Sequence, residues 1–140
     1  MEKTERLVDQ VMALKRRCQG MEDALRASLG LSVSEYHCLS AFPRGETLSG
    51  ADLADRLGLS ASRLSRVAEG LVQQGHLRRA QEQDDRRVQH YSLTAGGAEI
   101  KAKIQGLLDN CEAALQARLS PKARREAERG MAALIAAMAE

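Results

Sequence analysis

The fold of this chain is decided by residues 48–94, which read LSGADLADRLGLSASRLSRVAEGLVQQGHLRRAQEQDDRRVQHYSLT. Ser49 can accept a hydrogen bond from a backbone N–H in the first turn of a helix, and Gly58 can take the left-handed conformation that ends that helix. Ser60 can cap a second helix in the same way, with Gly75 as its end. The pattern predicts two short helices joined by a tight turn.

Two short apolar runs follow the second helix. Leu77–Ala80 and Val88–Leu93 are separated by the polar segment QEQDDRR, which is typical of a hairpin with a solvated tip. Two helices at a turn, followed by such a hairpin, indicate a winged helix-turn-helix. We expect this lobe to span residues 32–94 and to open with a helix whose capping box is Ser32 and Glu35.

Long amphipathic helices flank the lobe, over residues 3–30 and 96–139. Each carries an apolar seam with residues three or four positions apart. The first seam consists of Leu7, Val11, Leu14, Cys18, Met21 and Leu25, and the helix that opens the lobe should bury Val33, Tyr36, Leu39 and Phe42. After a cap at Thr94 the C-terminal seam holds Ile100, Ile104, Leu107, Leu108, Cys111 and Leu115, and after Ser120 and Pro121 it continues with Ala127, Met131, Leu134 and Met138.

The predicted fold is mainly α with a small β-hairpin wing, a winged helix-turn-helix plus N- and C-terminal dimerisation helices in a single domain of residues 1–140. A monomer of 140 residues is too small to cover all the apolar seams. Pairing of the terminal helices in a two-fold homodimer would bury them. Two recognition helices about 34 Å apart would then meet successive major grooves of a near-palindromic double-stranded DNA site.

Candidate DNA contacts lie at the start of the second helix of the motif and at the hairpin tip. Short and cationic side chains on a helix can reach base edges and phosphates in the major groove, and arginines on a ribbon suit the minor groove. The helix candidates are Ser60, Ser62, Arg63, Ser65 and Arg66, and the wing candidates are Asp85, Arg86 and Arg87. From Ser49 to Leu93 there are seven arginines and six acidic residues, a net charge of only +1. Binding therefore has to come from a few placed arginines.

Composition argues against several other classes of protein. The three cysteines include no CxxC pair, so neither a disulfide framework nor a metal site is expected, and no cofactor is indicated. The three histidines are scattered and no nucleophile has a base at a recognisable spacing, so we do not expect an enzyme. No apolar run reaches the ~18 residues of a membrane span, and the first residues are charged, which favours a cytoplasmic location without membrane contact.

The residues quoted above, together with LSVSEYHCL before them and AGGAEI after them, resemble the MarR-type (multiple antibiotic resistance regulator) winged-helix transcription factors. The family pattern Asp-x-Arg, a strand and Leu-Thr-x-x-Gly falls on Asp85, Arg87, Leu93, Thr94 and Gly97. The resemblance implies a dimeric DNA-binding protein, commonly a repressor released by a small ligand or an oxidant. A departure is His76, which is either a partly exposed turn histidine or a phosphate contact.

Two hypotheses address the sensor. In the first, a thiol among Cys18, Cys38 and Cys111 is oxidised, although Cys18 and Cys111 lie within apolar seams and packing is the simpler interpretation for each. In the second, a phenolic or aromatic carboxylate ligand binds between the dimer helices and the winged lobe, near Arg17, Tyr36 and His37. A further alternative for the whole chain is a winged-helix protein-interaction module without specific DNA binding.

Overall fold

The computed structural model of the chain describes residues 5–43, 45–81 and 87–139. These residues form helices and a small antiparallel sheet, which confirms the predicted fold class. In chain order the elements are α1 Leu7–Leu29, α2 Val33–Ala41, β1 Thr47–Ser49, α3 Gly50–Leu57, α4 Ala61–Gln73, β2 Leu77–Gln81, β3 Gln89–Leu93, α5 Ala95–Arg118 and α6 Pro121–Met138.

The chain forms two compact units. The first ends at Ile104 and contains α1 to α4, the sheet and the start of α5, and the second begins at Gln105 and contains the rest of α5 and α6. The division between the two units falls inside α5. Among the described helices, none combines the length and the apolar character required to cross a bilayer.

Serine caps start four of the helices, as predicted. The hydroxyls of Ser49, Ser60 and Ser120 each accept from the backbone N–H three residues later, at 3.1, 3.2 and 3.1 Å. Ser32 and Glu35 form the predicted capping box, with hydrogen bonds of 3.1 and 2.9 Å. Each bond satisfies a backbone donor that the first turn of a helix leaves unpaired, so the sequence fixes these starts locally.

The sheet has three strands in the order β1-β3-β2, all antiparallel. The hairpin of β2 and β3 agrees with the prediction, and Leu77 lies opposite Leu93. Strand β1 was missed, because its three residues are too few to carry an alternating pattern. Ser49 ends β1 opposite His90 and also caps α3, so the strand leads directly into the helix-turn-helix.

The core of the first unit lies among α2, α3, α4 and the sheet. Leu39, Leu53 and Leu71 are fully buried. The prediction that Val33 is buried was wrong, since 51% of this residue is exposed, while Cys38 is fully buried. In the short helix α2 the buried residues are Tyr36, Cys38 and Leu39, and the first turn, which carries Val33, lies at the surface.

The start of α5 is packed tightly against the turn that follows α4. A β-carbon added to Gly97 would lie 2.0 Å from the carbonyl oxygen of His76. Thr94 Oγ1 donates to the carbonyl of Gly75 at 2.5 Å and accepts from the backbone N–H of Gly97 at 3.0 Å, which confirms Thr94 as the cap of α5. His76 is half-buried, and its Nδ1 is buried without a hydrogen-bond partner among the described residues. This nitrogen therefore faces inward rather than toward a phosphate.

We expect Gly97→Ala to lower the free energy of unfolding by about 1–3 kcal/mol, the usual effect of forcing an extra methyl group into a packed site. Gly106→Ala on the same helix is the matched control, because, apart from the neighbouring backbone of the helix itself, no described atom lies within 4 Å of its added β-carbon. The control should stabilise the chain by roughly 0.5–1 kcal/mol through higher helix propensity. Urea unfolding of both variants measures the difference, and equal effects would contradict the close contact.

Candidate nucleic-acid interface

A concave surface of about 910 Å³ lies between α4 and the wing strands of the first unit. We call it the helix–wing concavity. Helix α4 contributes one wall, and β2 and the residues that lead into β3 contribute the other. The charged side chains that line it are Arg66, Glu69, Arg79 and Arg87.

Helix α4 is oriented by its apolar stripe. Leu64, Ala68 and Leu71 are buried in the core, so the opposite face of the helix points outward. That face carries Ser62, Arg66, Glu69 and Gln73, which follow one another at spacings of four, three and four residues. Arg66, in the middle of this row, can therefore reach into a nucleic-acid groove that the helix enters.

The structure brings together some of the predicted DNA contacts. Ser65 and Arg66 of α4 and Arg87 of the wing line the same concavity. Ser62 and Arg63 are exposed near the start of α4 but do not line it.

The remaining predicted contacts have other positions or are not described. Ser60 caps α4, so its hydroxyl accepts from the backbone N–H of Arg63. Its oxygen also lies 3.3 Å from the hydroxyl of Ser62. Asp85 and Arg86 fall outside the described residues.

Sequence reasoning missed an ion pair in the concavity. Arg79 Nη1 donates to Glu69 Oε2 at 2.6 Å and so joins β2 to α4. The position of Glu69 three residues after Arg66 was visible in the helical spacing. Its pairing with Arg79 was not, because the pairing depends on where the sheet places β2.

Tyr91 forms the buried floor beside this ion pair. Its hydroxyl donates to Gln89 Oε1 at 3.5 Å. Burial raises the pKa of the Tyr91 phenol, Arg79 partly offsets that rise, and Glu69 adds to it. Because the ordinary pKa of a tyrosine is already about 10, the phenol is neutral at physiological pH, and the charges of the concavity come from its rim.

Sequence comparison identifies the lobe that carries this site. Residues 29–88 match the sequence model described as the MarR family. The match runs from the last residue of α1 to the residue before β3, and so includes the whole helix-turn-helix. Over its winged-helix lobe, this chain is therefore similar to the MarR family.

Several solved structures are similar to this chain in fold. Streptococcus pneumoniae FabT in complex with DNA has a TM-score of 0.84 at 18% identity, over 95% of this chain and 95% of that chain. The S. aureus MepR–DNA complex has a TM-score of 0.74 at 15% identity, over 96% and 99%. Wild-type MarR from E. coli, in its apo form, has a TM-score of 0.76 at 17% identity, over 95% and 98%. No curated protein sequence is significantly similar to the chain.

A second, smaller cavity of about 380 Å³ lies between α1 and α2. It brings together three of the predicted sensor residues, Cys18, Tyr36 and His37, whereas Arg17 does not line it. The rings of Tyr36 and His37 are 5.6 Å apart. Burial raises the pKa of the Tyr36 phenol and the negative charge of Glu22 raises it further, so the cavity offers a neutral hydroxyl. Among the described residues, no group of three or more histidine, cysteine or acidic side chains could hold a metal ion.

The three cysteines lie in different environments. Cys18 is exposed within the single chain, where no residue of α1 is fully buried. Cys111 is half-buried on α5. Cys38 is fully buried, and burial, together with the charge of Glu35, raises the pKa of its thiol to about 12. At neutral pH Cys38 is therefore a protonated, unreactive core residue.

We expect Cys38 to react with iodoacetamide at pH 8 only when the protein unfolds. In a Cys18→Ser/Cys111→Ser variant, mass spectrometry should find no modification without urea and full modification above the unfolding midpoint. The raised pKa of the Cys38 thiol also makes the free energy of unfolding depend on pH. The contribution of the neutral, buried thiol to that free energy is fully present below about pH 9 and is lost as the pH rises toward 12. Rapid labelling of the native variant would contradict this assignment.

Proposed function

We propose that this chain is a sequence-specific DNA-binding transcriptional regulator that acts as a homodimeric repressor. The observation that carries the proposal is the helix–wing concavity, where Arg66 of α4 and Arg87 of the wing share one surface. The MarR family consists of winged-helix DNA-binding regulators, which supports the same interpretation. The two relatives FabT and MepR have each been solved in complex with DNA.

In the proposed complex, α4 lies in the major groove and the wing reaches the adjacent minor groove. Ser62, Ser65 and Arg66 have the length and chemistry to meet base edges and phosphates from the outward side of α4. Arg87 would enter the narrow minor groove, whose negative potential attracts a guanidinium. Because the net charge of the lobe is small, the salt dependence of binding should correspond to a few phosphate contacts.

Exposed apolar surface supports the homodimer. No residue of α1 or α6 is fully buried within the chain. In the second unit, α5 and α6 form a groove of about 460 Å³ whose lining includes the apolar side chains of Leu115, Met131 and Ile135. Pairing with a second copy would remove these surfaces from water and present two α4 helices to the half-sites of a near-palindromic operator.

Regulation is proposed to act through the cavity between α1 and α2. A small phenolic or aromatic carboxylate ligand could meet Tyr36 and His37 of α2 there, and the exposed Cys18 of α1, which lines the same cavity, is the thiol that an oxidant could reach. Either event would act at the junction of the dimer helices and the DNA-binding lobe. The structure supports a role in oxidation for Cys18 rather than for the buried Cys38.

We expect Arg87→Ala and Arg66→Ala each to weaken operator binding by about 1–3 kcal/mol, the effect of losing one good charged contact. Arg66→Ala should also relax base preference, whereas Arg87→Ala should mainly reduce the slope of log K against log salt by about one. Arg63→Ala, on the part of α4 outside the concavity, tests whether the start of the helix also reads bases.

The measurement is a titration of operator DNA, selected from random sequences with the purified protein, at several salt concentrations. Arg125→Ala, an exposed arginine on α6, is the control for loss of one positive charge. If all three lobe variants bind as the wild type does, the DNA contacts lie outside the concavity and the start of α4. If the wild type selects no DNA sequence while dimers persist, the alternative of a protein-interaction module is favoured.

We expect Ile135→Glu to convert the dimer to monomers, because Ile135 is 69% exposed in the chain and a charge there could not be buried against a second copy. Arg129→Glu places the same side chain about 120° around α6 from Ile135, outside the groove that Ile135 lines, and should leave the dimer intact. Analytical ultracentrifugation over a concentration series distinguishes the two. A dimer of unchanged affinity in Ile135→Glu would place the interface elsewhere.

A further inference from the structure

Glu69, which forms an ion pair with Arg79, occupies an unusual position for an acidic residue. Glu69 lies one turn after Arg66 on the outward face of α4, and both line the concavity together with Arg87. A carboxylate on a surface that faces DNA phosphates is repelled by them unless a positive charge compensates it. The Nη1 atom of Arg79, 2.6 Å from Glu69 Oε2, provides that charge.

The sheet fixes Arg79 in the position that this contact requires. Arg79 is the third residue of β2, and its partner in the register is the buried Tyr91 of β3. Successive side chains of a strand point to opposite faces, so Arg79 lines the concavity and its neighbour Arg78 does not. The chain therefore has two adjacent arginines on β2, of which one is directed to Glu69.

The pair contributes little to folding, since 42% of each side chain is exposed and exposed ion pairs are weak. Its environment changes when a ligand covers the concavity. Exclusion of water strengthens the attraction between the paired charges and also strengthens the repulsion between an unpaired carboxylate and a phosphate. The effect of the pair is therefore expected in DNA affinity and not in stability.

We propose that Arg79 is a positioning residue of the DNA interface, which acts through Glu69. Arg79 holds the Glu69 carboxylate in an ion pair, so that α4 and the wing present Arg66 and Arg87 to DNA beside a neutralised acid. This inference rests on the proposed DNA-binding function. It assigns to β2 the neutralisation of an acidic residue on α4, a role separate from direct contact with DNA by α4 or the wing.

The test compares Arg79→Gln, Glu69→Gln and the double variant for affinity to the selected operator. Arg79→Gln should weaken binding about tenfold, since it exposes a negative charge to the phosphates. The double variant should return to within about threefold of the wild type, because the carboxylate is gone as well, and Glu69→Gln alone should bind at least as tightly as the wild type. Thermal unfolding of all three should match the wild type within a few degrees.

Arg79→Gln/Glu99→Gln is the matched control for net charge, because Glu99 is exposed on α5 and does not line the concavity. This control should stay as weak as Arg79→Gln. Rescue by Glu99→Gln to the same extent as by Glu69→Gln would overturn the proposal, since the effect would then be one of total charge.

A double variant as weak as Arg79→Gln, with a salt slope reduced by about one, would also overturn the proposal, because Arg79 would then contact a phosphate itself. These outcomes are distinct from failure of the proposed function. If the wild-type protein binds no DNA in the selection, both the function and the inference are rejected. If the wild type binds and Glu69→Gln does not rescue, only the inference is rejected.

Discussion

The burial of one face of α4 is the constraint on which the rest of the lobe depends. Leu64, Ala68 and Leu71 are packed among α2, α3 and the sheet, and none of them can leave the core without exposing apolar surface to water. Rotation of α4 is therefore blocked. The row that contains Arg66 and Glu69 must face outward, toward the wing strands, and this orientation creates the concavity.

Because the net charge of this lobe is small, its affinity for a charged ligand depends strongly on individual contacts. A strongly basic surface would attract DNA wherever its lysines and arginines lay, but this lobe has nearly as many acidic residues as arginines. Affinity then depends on which charges are compensated within the protein and which are offered to a ligand. Arg79 is paired with Glu69, whereas Arg66 has no ion-pair partner among the described residues.

Local signals in the sequence predicted most of the helix boundaries. Serines at the caps and glycines with positive φ act within a few residues of chain, so Ser60 and Gly58 could be interpreted without knowledge of the fold. Burial was less predictable. Val33 fits an apolar face by spacing but lies at the surface, and Cys18 lies in a seam that one copy of the chain leaves exposed. Both depend on which surfaces meet, which spacing alone does not determine.

The sequence by itself determined the winged helix-turn-helix, its caps, the outward position of Arg66 and the apolar seams, because each follows from periodicity and local hydrogen bonding. Only the tertiary structure decided that β1 joins the sheet, that Gly97 approaches the backbone of His76, and that Arg79 reaches Glu69. These contacts join elements that are separate along the chain. Their geometry is set by the packing of α4 and the sheet on a shared core, so no single segment contains it.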